Sequence, residues 1–399
     1  MTLREKIAAV IDPIVGASAM AGAATLVWRD ERVVQADGFG WRDAEARLPI
    51  ERDTLFRIAS MTKPITSVAA LMLADEGRFA LEDPVTRWAP ELAQMRVIAD
   101  PRSPLERTVP AARPITFVDL LTHRSGLTYE FLSPGLLGEA YEAALGGMID
   151  SDVAPDDWIA RIATLPLVDQ PGAGFHYGRS TDLLGFLLGR IADKPFSDVL
   201  AERIFQPLGM KDTAFAVPAD KRLRRAQVYG FNEAGRLAAQ PIPERPAGMA
   251  YVSAGQGLWS TLDDFLAFAR LFLSDGAVDG VRLLKPETLA RMMSDQLTDE
   301  QRIKATVFGA AIFGGHGFGL GVSIVRDPAK ASPFLGGGGN GAVGWGGSFG
   351  GWWQADAVAG QVLIFLTHVS LTVEQMAKRV GVGAFGARMQ FEAIARAAV

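Results

Sequence analysis

The stretch Leu55-Phe56-Arg57-Ile58-Ala59-Ser60-Met61-Thr62-Lys63-Pro64 decides how the chain is read. It runs into Ile65, Val68, Ala69, Met72 and Leu73, apolar positions at helical spacing, and the pattern stops at Gly77. That spacing predicts a helix with a glycine just past its end. Residues three apart lie on one side of a helix, so Lys63 can reach the Ser60 hydroxyl. Pro64 is tolerated because the first helical turn has no N–H partner to lose. The free N–H groups and the dipole at that end favour negative charge, which suits a developing oxyanion. A serine hydroxyl needs a base before it can attack a carbonyl. An ammonium in water cannot serve, but burial penalises the charged form and frees the amine to take a proton. The alternative reading of the same residues is an N-cap serine followed by a solvated lysine, and the rest of the chain must decide between them.

Upstream, Ala23 to Arg29 and Val33 to Gly38 flank Asp30-Glu31 and read as a hairpin. Before it, Met1 to Ile11 mixes charges with apolar residues at helical spacing, unlike a signal peptide. Downstream, Gly319 to Val325, Ala342 to Trp345, Gly351 to Asp356 and Gln361 to Thr367 read as strands joined by short turns, and a last helix is expected from about Val373 to the end. Between them lies a proline-rich, mainly helical stretch, including the apolar face Leu183, Leu184, Leu187, Leu188 and Ile191. The expected fold is therefore α/β (α+β): an antiparallel sheet flanked by helices, built from residues 1–79 and 250–399, with a helical lobe at 80–249. A cleft between the lobes is the natural place for a site.

Composition narrows the function. The formal charge of −5 with mixed signs argues against a nucleic-acid partner. The absence of cysteine removes any thiol nucleophile or thiolate metal site. No segment offers about 18 uncharged apolar residues, so no membrane span is expected and the protein reads as soluble and cytoplasmic. His123, His176, His316 and His368 show no metal-ligand spacing, so neither metal nor organic cofactor is expected. Gly336 to Gly339 lack a following lysine and threonine and read as a mobile loop, not a phosphate cradle.

The Ser-Met-Thr-Lys stretch resembles the active-site signature of the serine β-lactamase and penicillin-binding-protein superfamily, and most of all its class C-like esterases, the family VIII carboxylesterases. The resemblance covers nearly the whole chain. It continues in Asp119-Leu120-Leu121-Thr122-His123-Arg124-Ser125-Gly126-Leu127, in Pro207 to Thr213 and in Gly255 to Thr261. It implies a β-lactamase/transpeptidase-like fold with Ser60 as nucleophile. Tyr177, in Tyr177-Gly178-Arg179-Ser180-Thr181-Asp182, is similar to the family's catalytic tyrosine. The resemblance leaves open whether Lys63 or Tyr177 takes the serine proton. Trp345-Gly346-Gly347 resembles the Trp-Gly-Gly of these esterases, and by the family pattern the N–H groups of Ser60 and Ser348 form the oxyanion hole.

Two departures bear on substrate. Arg179 stands where family β-lactamases place asparagine, and Trp345 stands in place of the lysine of Lys-Thr-Gly. Both changes favour uncharged, apolar ester groups over a lactam. Trp345, Gly346, Gly347, Phe349, Arg179 and His176 are the expected substrate-binding residues, and a small-molecule ester is the expected partner. Gly346-Gly347-Ser348-Phe349-Gly350 also matches G-x-S-x-G, but that motif needs a helix after its serine, and strands follow here. The expected activity is a serine carboxylesterase. A β-lactamase, a D-stereospecific peptidase or amidase, or a transacylase would use the same site. A binding protein that acylates without turnover is the reading from another class.

Overall fold

The two ends of the chain meet in one sheet. In the computed structural model, which describes residues 1–399 except 101, 102, 134, 148, 243, 244, 246–248, 308, 379 and 399, helix α1 (Leu3–Gly16) starts at a reciprocal cap between Thr2 and Glu5. The hairpin read from the sequence follows as β1 (Gly22–Arg29) and β2 (Arg32–Asp43), with a short β3 (Leu48–Pro49) beside it. Helix α2 (Thr62–Asp75) carries the apolar run after Ser60. Helix α3 (Ser180–Ala192) carries the leucine-rich face and ends on Asp193 in the left-handed region. The late strands are β4 (His316–Phe318), β5 (Ser323–Val325), β6 (Val343–Gly346), β7 (Trp352–Asp356) and β8 (Gln361–Thr367), and α4 (Val382–Ala397) closes the chain.

The sheet order is β4-β5-β6-β7-β8-β1-β2-β3, antiparallel throughout. Its centre is the pairing of β1 with β8, where Ala23 lies opposite Thr367 and Arg29 opposite Gln361. Alternate residues serve opposite faces. Ala23, Val27, Leu363 and Phe365 pack with Ile7 and Ile11 of α1 and Phe391 of α4. Ala24, Leu26, Ile364 and Leu366 join the larger core that contains α2 and α3. Strands covered on both faces read as nearly continuous apolar runs, which is why Gln361–Thr367 matched its expected bounds. In α2 every residue from Thr62 to Leu71 is buried. Each of its large aliphatic side chains contributes about 1.5–3 kcal/mol by leaving water, so the start of this helix is anchored.

Three expectations are corrected. Residues 319–325 are not one strand: Gly321 sits at φ +94°, and a Cβ there would lie 2.0 Å from Ser67 Oγ of α2. The chain turns at this close approach. The final helix is interrupted, with Val373–Ala377 separated from α4 by Gly381 at φ +74°; Arg379 and Val399, within the expected span, lie outside the described residues. The glycine run 336–339 is tied down. Gly336 O accepts from His316, Gly337 N donates to Glu392, Gly337 O accepts from Gln354, and Gly339 N donates to Asp356.

The middle of the chain is mainly helical, with two small hairpins, Arg96–Ile98 with Thr108–Pro110 and Val228–Phe231 with Leu237–Gln240. The second docks on the loop after β8, where Tyr229 N donates to His368 O at 2.9 Å. No helix among the described residues is long and apolar enough to cross a membrane.

Candidate active site

Ser60 lies in a single 3-10 turn, Ala59–Met61, that leads directly into α2. Just before it Phe56–Arg57 pairs with Trp259–Ser260. Ile58 N donates to Leu258 O at 2.9 Å, and Leu258 N reaches Thr62 Oγ1 at 3.3 Å. The Gly255 to Thr261 motif is thus the cradle of the nucleophile turn. At the start of the turn Ala59 adopts φ +46°, a left-handed conformation that costs a non-glycine residue of order 1 kcal/mol or more. The surrounding strand pairing and burial hold it there.

Lys63 is buried, 1 % exposed, and Ser60 nearly so at 6 %. Lys63 Nζ donates to Ser60 Oγ at 3.1 Å, to Tyr129 Oη at 3.0 Å and to Gly255 O at 3.0 Å. The expected one-turn pairing of hydroxyl and amine is present, sheltered from water. Three acceptors use all three N–H bonds of the ammonium. Once the amine is neutral, Gly255 O, which can only accept, keeps one N–H, and the lone pair falls to one of the two hydroxyls. Burial, then the neighbouring charge of Asp182, pushes the Tyr129 phenol well above its ordinary range, so it stays protonated. Ser60 is left as the hydroxyl whose proton the amine can take.

Tyr129 carries no motif signal. It converges with Tyr177 because Gly178 brings the two segments into contact: a Cβ at Gly178 would lie 2.5 Å from Leu127 O and from Thr128 Cα. The two tyrosine rings meet edge to face at 5.5 Å. Tyr177 presents its ring to the amine, with Nζ 4.7 Å from the centroid. Its hydroxyl instead accepts from Trp345 Nε1 at 3.2 Å. The phenol that hydrogen-bonds the Lys63 amine is therefore that of Tyr129, while Tyr177 meets the amine through its ring.

Strand β6 ends beside the nucleophile. A Cβ at Gly347 would lie 2.4 Å from Ile58 O, so the backbones touch and only glycine fits, whereas a Cβ at Gly346 would have its nearest atom at 3.5 Å. Ser348 follows in an exposed turn closed by Gly350 N on Gly347 O at 2.9 Å. Neither Ser60 N–H nor Ser348 N–H has a partner among the described residues, leaving both to a ligand. The turn joins β6 to β7 without a helix, so Ser348 lacks the geometry of a nucleophile elbow.

The remaining expected contacts divide. Trp345 is 6 % exposed and packs on Tyr177 and Phe318, at 5.6 and 5.2 Å, in a cluster with Phe175 and Phe313. This gives the site one apolar aromatic wall. One residue is corrected, and two others are located with part of their surface exposed. Arg179 is fully buried, pairs with Glu130 at 3.0 Å and lies over the Tyr129 ring; it supports the tyrosine and offers no surface to a ligand. Phe349 turns its ring to His368, centroids 5.1 Å apart. His176 is held by Asp169 at 3.0 Å. His123, a buried neighbour of the Tyr177 ring, is kept neutral by burial and then by Lys63. No group of three or more His, Cys, Asp or Glu suited to a metal occurs among the described residues.

A family model described as Beta-lactamase matches residues 7–383. The chain belongs to the β-lactamase family. Among its β-lactamase-family relatives, Protein Rv1367c of Mycobacterium tuberculosis is 47% identical over 359 residues, covering 90% of this chain and 88% of that one. Esterase EstB of Burkholderia gladioli is 32% identical, covering 92% and 91%. The solved structure of EstCE1, a hydrolase with promiscuous acyltransferase activity, superposes with a TM-score of 0.78 at 25% identity, over 96% of this chain and 98% of that one. The fold is β-lactamase/transpeptidase-like, and the chain is a serine hydrolase or acyl-transfer enzyme of that superfamily, on its esterase-like side.

Proposed function

We propose that the protein is a serine carboxylesterase acting on small to medium uncharged esters. The observation that carries this reading is the buried 3.1 Å contact of Lys63 Nζ with Ser60 Oγ, set beside two backbone N–H groups that have no partner among the described residues. Ser60 Oγ attacks the ester carbonyl carbon while its proton passes to Lys63. The oxyanion rests on the N–H groups of Ser60 and Ser348. Collapse of the tetrahedral adduct breaks the C–O bond to the alcohol, which leaves with the proton from Lys63. Water then adds to the acyl-Ser60 ester by the same steps and releases the acid. Tyr129 and Gly255 hold the amine on Ser60. Tyr177, its hydroxyl fixed by Trp345, stands against the amine as a wall of the site.

The partly exposed ring of Tyr177, backed by Trp345, supports an apolar acyl or alcohol group, and an indole in place of a lysine removes the cation that would hold a lactam carboxylate. A second reading, transfer of the acyl group to an alcohol in place of water, is favoured by the resemblance to EstCE1. Turnover of nitrophenyl butyrate, lost in Ser60→Ala, with little turnover of nitrocefin, is the expected result. Nitrocefin turned over faster than every ester in a panel would replace the esterase reading with a β-lactamase. Mass spectrometry of products formed with an added alcohol tests the transfer.

A further inference from the structure

The mechanism above leaves one fully buried ionisable group unused beside its base. Asp182, on the first turn of α3, is 0 % exposed. Its Oδ1 accepts from Ser253 Oγ at 2.7 Å and from Gly255 N at 3.0 Å, while Oδ2 has no partner among the described residues. Gly255 therefore holds both groups: its N–H binds the carboxylate and its carbonyl binds Lys63 Nζ. A Cβ at Gly255 would lie 3.3 Å from each carboxylate oxygen and 3.3 Å from Nζ. Carboxylate and amine thus face each other across the space that this glycine leaves open.

We infer that Asp182 is a positioning residue for Lys63, whose carboxylate stabilises the ammonium formed as Ser60 gives up its proton. The inference rests on the reading of Lys63 as the base for Ser60. The other groups around the pair do not compete. Arg179, which also feels Asp182, has Glu130 as its ion-pair partner. Tyr129 and Tyr251 are both pushed upward chiefly by burial and stay neutral phenols. His123 is neutral, and Tyr177 meets the amine through its ring. Lys63 forms no ion pair of its own among the described residues, and the carboxylate of Asp182 lies across Gly255 from its amine, placed to compensate a buried ammonium. The logic is that of a carboxylate that supports a protonated base without itself taking the proton.

The test is Asp182→Asn, which keeps an oxygen for Ser253 and Gly255 N and removes the charge. The readout is the rate at which a fluorophosphonate labels Ser60 between pH 5 and 10. Labelling forms the Ser60 O–P bond, expels fluoride and sends the serine proton to the base, so no ester substrate needs to be known. An opposite charge at this range favours the protonated amine, so its loss should move the acid limb of the rate profile down by about one pH unit or more. The plateau rate should fall at least about tenfold. Asp182→Ser, with room for water to take the freed donors, carries the same expectation if the asparagine variant does not fold. A lower plateau with an unmoved limb would overturn the proposal, as would failure of both variants to fold, since either makes the residue a scaffold. Wild-type protein left unlabelled at Ser60 would instead overturn the esterase reading.

Discussion

At the scale of single residues the site depends on Lys63 being held by three acceptors, Ser60 on its own turn and Tyr129 and Gly255 from distant parts of the chain. Ser60→Ala should lower ester turnover by about 10⁴-fold or more, since the nucleophile and its base act as a unit. Lys63→Met should cost a similar factor, with steady-state kinetics as the check. Tyr129→Phe removes one hydrogen bond that orients the amine and should lower kcat by about 10- to 100-fold, with KM and the melting temperature nearly unchanged. Unchanged kcat in that variant would restore the tyrosine role to Tyr177. Ser60 and Lys63 are legible in the sequence because they are three residues apart on one helical turn. Tyr129 is 66 residues from Lys63, in a loop without periodicity, and only folding brings it to the amine. Arg179 misled in the opposite way: a charged residue in a motif suggested a ligand contact, but its partner Glu130 consumes the charge inside the core.

At the scale of elements, the contact between β6 and the nucleophile turn sets the width of the oxyanion site. Gly347→Ala would press a methyl group against Ile58 O and should cut kcat sharply, by about 100-fold on the scale of a lost oxyanion donor. Gly346→Ala, whose added Cβ would meet only Gly351 O at an ordinary 3.5 Å, should retain most activity. Equal losses in both would show that register here does not matter. The strand before the nucleophile is also fastened by charge: Arg57 and Arg245 both bind Asp150, at 2.9 and 3.2 Å. Asp150→Ala leaves two buried guanidinium groups without their anion and should destabilise the fold by about 3 kcal/mol, read from urea unfolding. Most strands were legible because apolar runs with turn residues between them mark buried strands. The split at Gly321 was not, because nothing local reveals that its backbone must clear Ser67. The pinning of Gly336–Gly339 was hidden for the same reason, since its partners include Glu392, on the last helix.

At the scale of the whole molecule, stability should depend on pH through three buried histidines. His123, His316 and His368 are all held below the ordinary range chiefly by burial, His368 at about 3. Protonated His368 would add a proton at Nε2, which has no partner among the described residues, while Nδ1 already binds Ala226 O. Below the unfolded value near 6.5, the unfolded chain binds protons that the folded chain refuses. Stability is therefore full above about pH 6.5 and falls as pH drops towards 3, by up to about 1.4 kcal/mol per pH unit for each such group. Thermal melts from pH 8 to 4 should show this loss, and His368→Gln should flatten part of it. The pairing of β1 with β8 has a different consequence, for the growing chain on the ribosome. The strand beginning near Gly22 must wait until residues around Gln361 to Thr367 emerge before its free edge is covered. Such distant pairings slow folding, and an uncovered apolar edge invites aggregation meanwhile. Yield during expression should accordingly respond more to slower synthesis at low temperature, or to added chaperones, than to changes at the site itself.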